Sequence, residues 1–186
     1  MALPMSYAGQ RMTLDEFFAL EGDEFRHAEL QEGVLVMSPS PGTKHQRVLR
    51  RLTQQFVEQL PVCLEPTQDV DVVLQAGRPA TVRQPDIAVT RVIDDRPRIP
   101  VSDVVLAVEI ISPGSRKVDL KTKVYEYAEA GIPHYWAVDL NPPVPTTTVF
   151  HLGAPDDGYV EEPAVDGRLT TSLPFPLTID LDALVR

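Results

Sequence analysis

Eight consecutive residues, Val104-Val105-Leu106-Ala107-Val108-Glu109-Ile110-Ile111, form an apolar run broken by a single carboxylate. A run this long and this rich in β-branched residues specifies a central strand covered on both faces. An unpaired ionised carboxylate there costs on the order of several kcal/mol. Glu109 must therefore be protonated, paired with a basic side chain, or bound to a metal ion. The second and third solutions both point towards a functional site.

The chain around this strand has 186 residues, of which 43% are apolar, with no composition typical of disorder. One domain spanning 1–186 is expected. The N-terminus lacks a basic-then-apolar leader and the apolar stretches are too short to cross a bilayer, so a soluble, cytoplasmic protein with no membrane partner is expected. Cys63 is the only cysteine, which excludes an intrachain disulfide framework and a thiolate zinc site, and its thiol is expected to be a small buried filler. The net charge of −10 argues against broad, sequence-independent nucleic-acid binding. That charge is uneven: residues 151–186 carry seven acidic residues against Arg168 and Arg186, a net −5.

The pattern of elements is legible along most of the chain. Thr13 and Glu16 have the spacing of a capping box before Phe17 and Phe18, which predicts a short helix. Strand-like pieces at 28–30 and 34–37, split by Glu32-Gly33, predict a hairpin. After the Ser38-Pro39-Ser40-Pro41-Gly42 break, residues 43–60 place Leu49, Leu52, Phe56 and Leu60 on one helical stripe that also contains His45. Strands are predicted at 63–65, 69–74, 82–89 and 104–111, then a helix at 118–130 ending at Gly131, a strand at 134–140, edge strands at 146–152 and 158–162, and a final turn near 181–185, with an acidic C-terminal cap over about 151–186. The strand–helix–strand unit at 104–140 predicts parallel neighbours joined by a crossover helix, within a mixed sheet flanked by helices.

Pro85-Asp86 opens the strand segment before Glu109. Two carboxylates side by side on neighbouring strands repel unless a divalent cation lies between them, and hard oxygen donors suit Mg²⁺ or Mn²⁺. Asp86, Glu109 and the carbonyl of Ile110 are the candidate metal donors.

These residues belong to a wider pattern: Glu29-Leu30-x-x-Gly33, His45, Pro85-Asp86, Glu109-Ile110-Ile111-Ser112-Pro113, Asp119-x-x-x-Lys123-x-x-x-Tyr127 and Gly131-Ile132-Pro133-His134-Tyr135-Trp136-Ala137-Val138-Asp139. From about Glu29 to Leu181 the chain resembles the Uma-two family of restriction-endonuclease-like proteins, within the PD-(D/E)XK nuclease superfamily. The resemblance implies an α/β fold of restriction-endonuclease type and a Mg²⁺- or Mn²⁺-dependent nuclease acting on nucleic acid, with DNA the favoured substrate. It implies catalytic roles for Asp86, Glu109 and Lys123, with Glu29 and His45 in second rank. The chain departs from a plain Glu-x-Lys motif, because Ile111 stands where lysine would fall, and the family pattern places the lysine on the following helix. Periodicity alone does not choose between Lys121 and Lys123, which flank the Leu120, Val124, Ala128 stripe on opposite sides. Only the resemblance selects Lys123.

Simpler readings stand beside these. Asp119 and Lys123 have the spacing of a surface helix pair. His45 on an apolar stripe is equally a satisfied core histidine. Lys44, Arg47 and Arg51 at i, i+3 and i+7 form either a nucleic-acid-binding stripe or a solvated basic face. Arg83, Arg91, Arg116 and Lys117 flank the candidate site in sequence, and a local positive channel containing Arg116 and Lys117 is expected to contact the backbone of nucleic acid. A homodimer is expected, since a nuclease with one site per chain pairs to cut two strands. Two rival functions are a non-catalytic binding module with the same fold and a metal-dependent hydrolase of a small phosphodiester.

Overall fold

The computed structural model describes residues 10–38, 40–92, 96–141, 144–154 and 157–186. Pro39 of the proline-rich break and Asp156 of the acidic tail lie outside the described residues. The chain folds as a mixed α/β structure built on two principal sheets.

The larger sheet has strand order β11-β10-β9-β8-β6-β3, with β12 paired beside β10. Its centre is β8 (Val104–Ile111), which coincides with the apolar run. β8 lies parallel to β9 (His134–Asp139) and antiparallel to β6 (Ile87–Arg91), which in turn pairs antiparallel with the edge strand β3 (Leu64–Gln68). β10 (Thr146–Leu152) continues the sheet antiparallel to β9, followed by β11 (Tyr159–Glu161) and β12 (Val165–Asp166). Burial on both faces follows from the two clusters that sandwich this sheet. On one face Leu106, Val108 and Ile110 pack against Val48, Leu49, Leu52 and Phe56 of α2 (Thr43–Val57). On the other, Ala107 and Ile111 meet Tyr127, Tyr135 and Phe150.

The second sheet has order β2-β1-β5-β4-β7 and carries the N-terminal hairpin of β1 (Ala28–Gln31) and β2 (Val34–Met37). Its remaining strands are β4 (Val72–Gln75), β5 (Thr81–Arg83) and the short β7 (Ile99–Pro100). Gly33 sits in the hairpin turn at φ +80°, a conformation that an L side chain adopts only with strain. The helix α1 (Leu14–Phe18) has the capping box read from Thr13 and Glu16 and inserts Phe17 into a core with Leu30, Leu35 and Val82.

Four features depart from the sequence expectation. The single strand expected at 82–89 is two strands, β5 and β6, in different sheets. Pro85 lacks the N–H that a continuing ladder requires, so the chain crosses between sheets at Gln84-Pro85-Asp86. The helix expected at 118–130 begins as a π-helical turn (Val118–Thr122), in which Lys123 N–H donates to the carbonyl of Val118 five residues back, before α3 (Lys123–Glu129). The C-terminal region is more than a cap. The hairpin of β13 (Arg168–Thr171) and β14 (Leu177–Asp180), with α4 (Leu181–Val185), buries Leu169, Phe175, Leu177, Ile179, Leu181 and Leu184 against α2. Cys63, finally, is exposed rather than buried, because it precedes β3 at the rim of the sheet. Among the described residues no helix is long and apolar enough to cross a membrane.

Candidate functional site

The crossing at Pro85 places Asp86 where β6 leaves β8. Ile87 is registered opposite Val108, so Ile110 lies beyond the end of the ladder and its N–H would otherwise lack a partner. Asp86 Oδ2 accepts that N–H at 2.6 Å. A residue in a strand directs its N–H and C=O to the same side, so the carbonyl of Ile110 faces the same space. His45, in the first turn of α2, brings Nε2 to 3.1 Å from the same Asp86 oxygen, while its Nδ1 is buried without a hydrogen bond. Burial lowers the affinity of the imidazole for a proton, but the hydrogen bond and charge of Asp86 outweigh it, and the pKa of His45 is raised.

Glu109 projects from β8 towards α3. Its Oε1 accepts from Lys123 Nζ and from the Tyr127 hydroxyl, each at 2.8 Å. The surface-pair reading of Asp119 and Lys123 is excluded by their exposures of 2% and 6%. Asp119, Lys123 and Tyr127, spaced by four, form an inward-facing polar stripe, whereas Lys121 is exposed. The π-helical turn sets this stripe, and the Tyr135 hydroxyl donates to the carbonyl of Asp119 at 2.9 Å.

Lys123 also lies 3.3 Å from Glu29 and 3.8 Å from Asp119. Glu29, from β1, accepts from Arg83 Nη1 at 2.9 Å and from the Gln84 N–H at 3.0 Å. Arg83 holds Glu126 of α3 through Nε at 2.6 Å and Nη2 at 2.7 Å. Four carboxylates thus contact two cations, and the charge of Asp86 reaches the same cluster. Burial pushes the pKa of Glu109 up to about 8; Lys123 opposes the rise, and Asp86, Asp119 and Glu29 add to it. Burial alone would lower that of Lys123, but Glu109, Glu29 and Asp119 outweigh it and hold the ammonium protonated. For Glu29, burial is overcome by Lys123 and Arg83, which hold its pKa below the usual range.

The excess of buried negative charge fits an added cation. Asp86, Glu109 and the Ile110 carbonyl are hard oxygen donors on adjoining backbone positions, a set that suits Mg²⁺ or Mn²⁺ in chemistry. Among the described residues, no group of three or more His, Cys, Asp or Glu converges in metal-holding geometry, so any such ion draws on the backbone and on water.

The basic residues fall into separate surroundings. Lys44 and Arg47 are exposed, with Lys44 Nζ donating to the carbonyl of Leu140 at 3.0 Å. Arg51 turns away from them: its Nη1 donates to the carbonyls of Ala183, Leu184 and Arg186 at the end of α4. Arg116 pairs with Asp139 beside an open depression of about 680 Å³ that Asn141 and Asp166 also line, and Lys117 is exposed nearby in sequence. Arg83 does not belong to a positive channel, because it is enclosed by its two carboxylates. Arg91 donates to the carbonyl of Ser102. The clamp of Arg83 on Glu29 and Glu126 was not anticipated from sequence. Its signal was the one that marked Glu109, a charged residue beside the apolar Val82 in a buried strand.

The strand order is that of a mixed α/β protein with a restriction-endonuclease-like fold. A crystal structure described as a putative nuclease belonging to DUF820 from Anabaena variabilis has the same fold, with a TM-score of 0.71 at 18% sequence identity over 94% of this chain and 97% of that chain. The profile of the Uma2 family, described as "Putative restriction endonuclease", matches residues 14–183, and the chain belongs to this family. Among curated proteins, none matches this chain.

Proposed function

We propose that the protein is a divalent-metal-dependent nuclease that hydrolyses phosphodiester bonds in DNA. The observation that carries this reading is the buried contact of Lys123 with Glu109, one residue from the Ile110 N–H that ties Asp86 to the same strand. Asp86, Glu109 and the Ile110 carbonyl would hold Mg²⁺ or Mn²⁺. When bound, the ion polarises a phosphoryl oxygen and acidifies a water molecule. Lys123, protonated and fixed, orients the attacking water or offsets charge developing on the phosphoryl oxygens, and is ill suited to act as a general base. Tyr127 holds the Glu109 carboxylate in place. His45 restrains Asp86 and is the side chain best placed to meet substrate phosphate from α2.

Lys44, Arg47, Arg116 and Lys117 would supply backbone contacts, with Arg51 excluded by its role at α4. Two copies, each with one candidate site, would cut both strands in one binding event, and light scattering at micromolar concentration tests for that dimer. The direct test is cleavage of single- and double-stranded DNA with Mg²⁺ or Mn²⁺ by the wild type, Lys123→Ala and Asp86→Ala. Metal-dependent cleavage lost in both variants is the expected result. Cleavage retained in either overturns its assigned role, and no cleavage of any substrate favours the binding-module reading.

A further inference from the structure

Arg83 is a buried cation, 1% exposed, that the proposed reaction does not use. It grips Glu126 with two parallel hydrogen bonds and occupies Oε2 of Glu29 with a third. The other oxygen of Glu29 accepts the Gln84 N–H and lies 3.3 Å from Lys123 Nζ. Lys123 therefore stands between two carboxylates that compete for it, Glu109 at 2.8 Å and Glu29 at 3.3 Å. Water screens such contacts little in a buried cluster, so the ammonium settles on whichever carboxylate other groups neutralise less. Glu29 has Arg83 as a second cation. Among the described residues, Glu109 has only the neutral Tyr127 hydroxyl beside its lysine.

We infer that Arg83 is a positioning residue: by neutralising Glu29 it leaves Lys123 to Glu109, and its fork on Glu126 fixes it in that place. This rests on the nuclease reading of Lys123 and adds what aims the lysine. It also changes the part given to Glu29. With its oxygens taken by Arg83, Lys123 and a backbone amide, Glu29 acts as the counter-carboxylate that sets the lysine rather than as a group reaching a metal. A planar guanidinium is needed, since a lysine at position 83 is a point charge without the fork that spans both carboxylates.

The test compares Arg83→Gln with the double variant Arg83→Gln/Glu29→Gln, which removes opposite charges together. Crystal structures and the ¹⁵N resonance of the Lys123 ammonium report its partner without reference to activity. In the single variant Lys123 is expected to leave Glu109 for Glu29, with kcat falling about 100-fold and KM for DNA little changed. The double variant is expected to return Lys123 to Glu109 and to regain most of kcat. Lys123 remaining on Glu109 in the single variant overturns the inference, as does its loss from Glu109 in the double variant. If Arg83→Gln does not fold, Arg83→Lys, which lacks the fork, takes its place, and Lys123 remaining on Glu109 there overturns the inference. A wild type that cleaves no nucleic acid removes the nuclease reading and leaves the contact test intact.

Discussion

Lys123 and Tyr127, one turn apart on α3, donate to the same oxygen of Glu109, each at 2.8 Å. Two donors on one oxygen fix the carboxylate against α3 and explain how a charged residue is tolerated within β8. Breaking a buried pair by removing one partner costs about 3–5 kcal/mol. Lys123→Met is therefore expected to lower unfolding free energy by about that much in urea denaturation. Tyr127→Phe, which removes a single hydrogen bond, is expected to cost about 1 kcal/mol.

Glu109 acts as a metal ligand only in its ionised form. Burial raises its pKa, Asp86, Asp119 and Glu29 add to the rise and Lys123 opposes it, so it holds a proton more tightly than an ordinary carboxyl does. Calorimetric titration of Mg²⁺ in buffers of different ionisation enthalpy is expected to show protons released on binding, more at low pH than at high pH. Release should diminish as pH rises and be absent in Glu109→Gln. By the same sign, cleavage should rise with pH, and this rise should be lost in Glu109→Gln.

Asp71 offers a pH test of stability away from the metal donors. Burial raises its pKa to about 6; Glu29 adds to the rise and Arg98 opposes it. A carboxylate whose folded pKa exceeds its unfolded value near 3.8 costs nothing when both states are protonated. The cost grows as pH rises from about 4 to about 6 and is constant above. Asp71→Asn is therefore expected to match the wild type at pH 4 and to be more stable at pH 7, by about 1 kcal/mol after allowing for its partial exposure.

Arg51 and its neighbours on α2 should separate cleanly in experiment. Arg51→Ala removes the donor from the last carbonyls of α4 and is expected to lower stability by about 1.5–3 kcal/mol, without altering DNA affinity. Lys44→Ala and Arg47→Ala are each expected to weaken DNA binding uniformly across sequences, and to reduce the salt slope by about 1 in filter-binding or anisotropy titrations. An unchanged slope in both variants removes α2 from the interface.

Much of this architecture was legible in local patterns. The bounds of β8, the capped α1, the β1–β2 hairpin, the buried stripe of α2 and the parallel pairing of β8 with β9 all follow from side-chain periodicity and turn residues. The split of 82–89 into two sheets was signalled only by Pro85, and the π-helical turn had no local signal. The burial of the C-terminal hairpin was hidden because strands of four residues alternate too briefly to reveal a core face.

The sequence by itself determined that Glu109 is buried and needs compensation, since one carboxylate in a β-branched run admits few solutions. Tertiary structure alone decided which solution was used. Lys123 rather than Lys121 reaches Glu109, Asp86 takes the orphaned N–H of Ile110, and Arg83 joins Glu29 to Glu126 across 54 and 43 positions of chain. Periodicity tells a residue which face it occupies. The partner it meets depends on how separate elements pack, and desolvated charges bind whichever opposite charge that packing brings within reach.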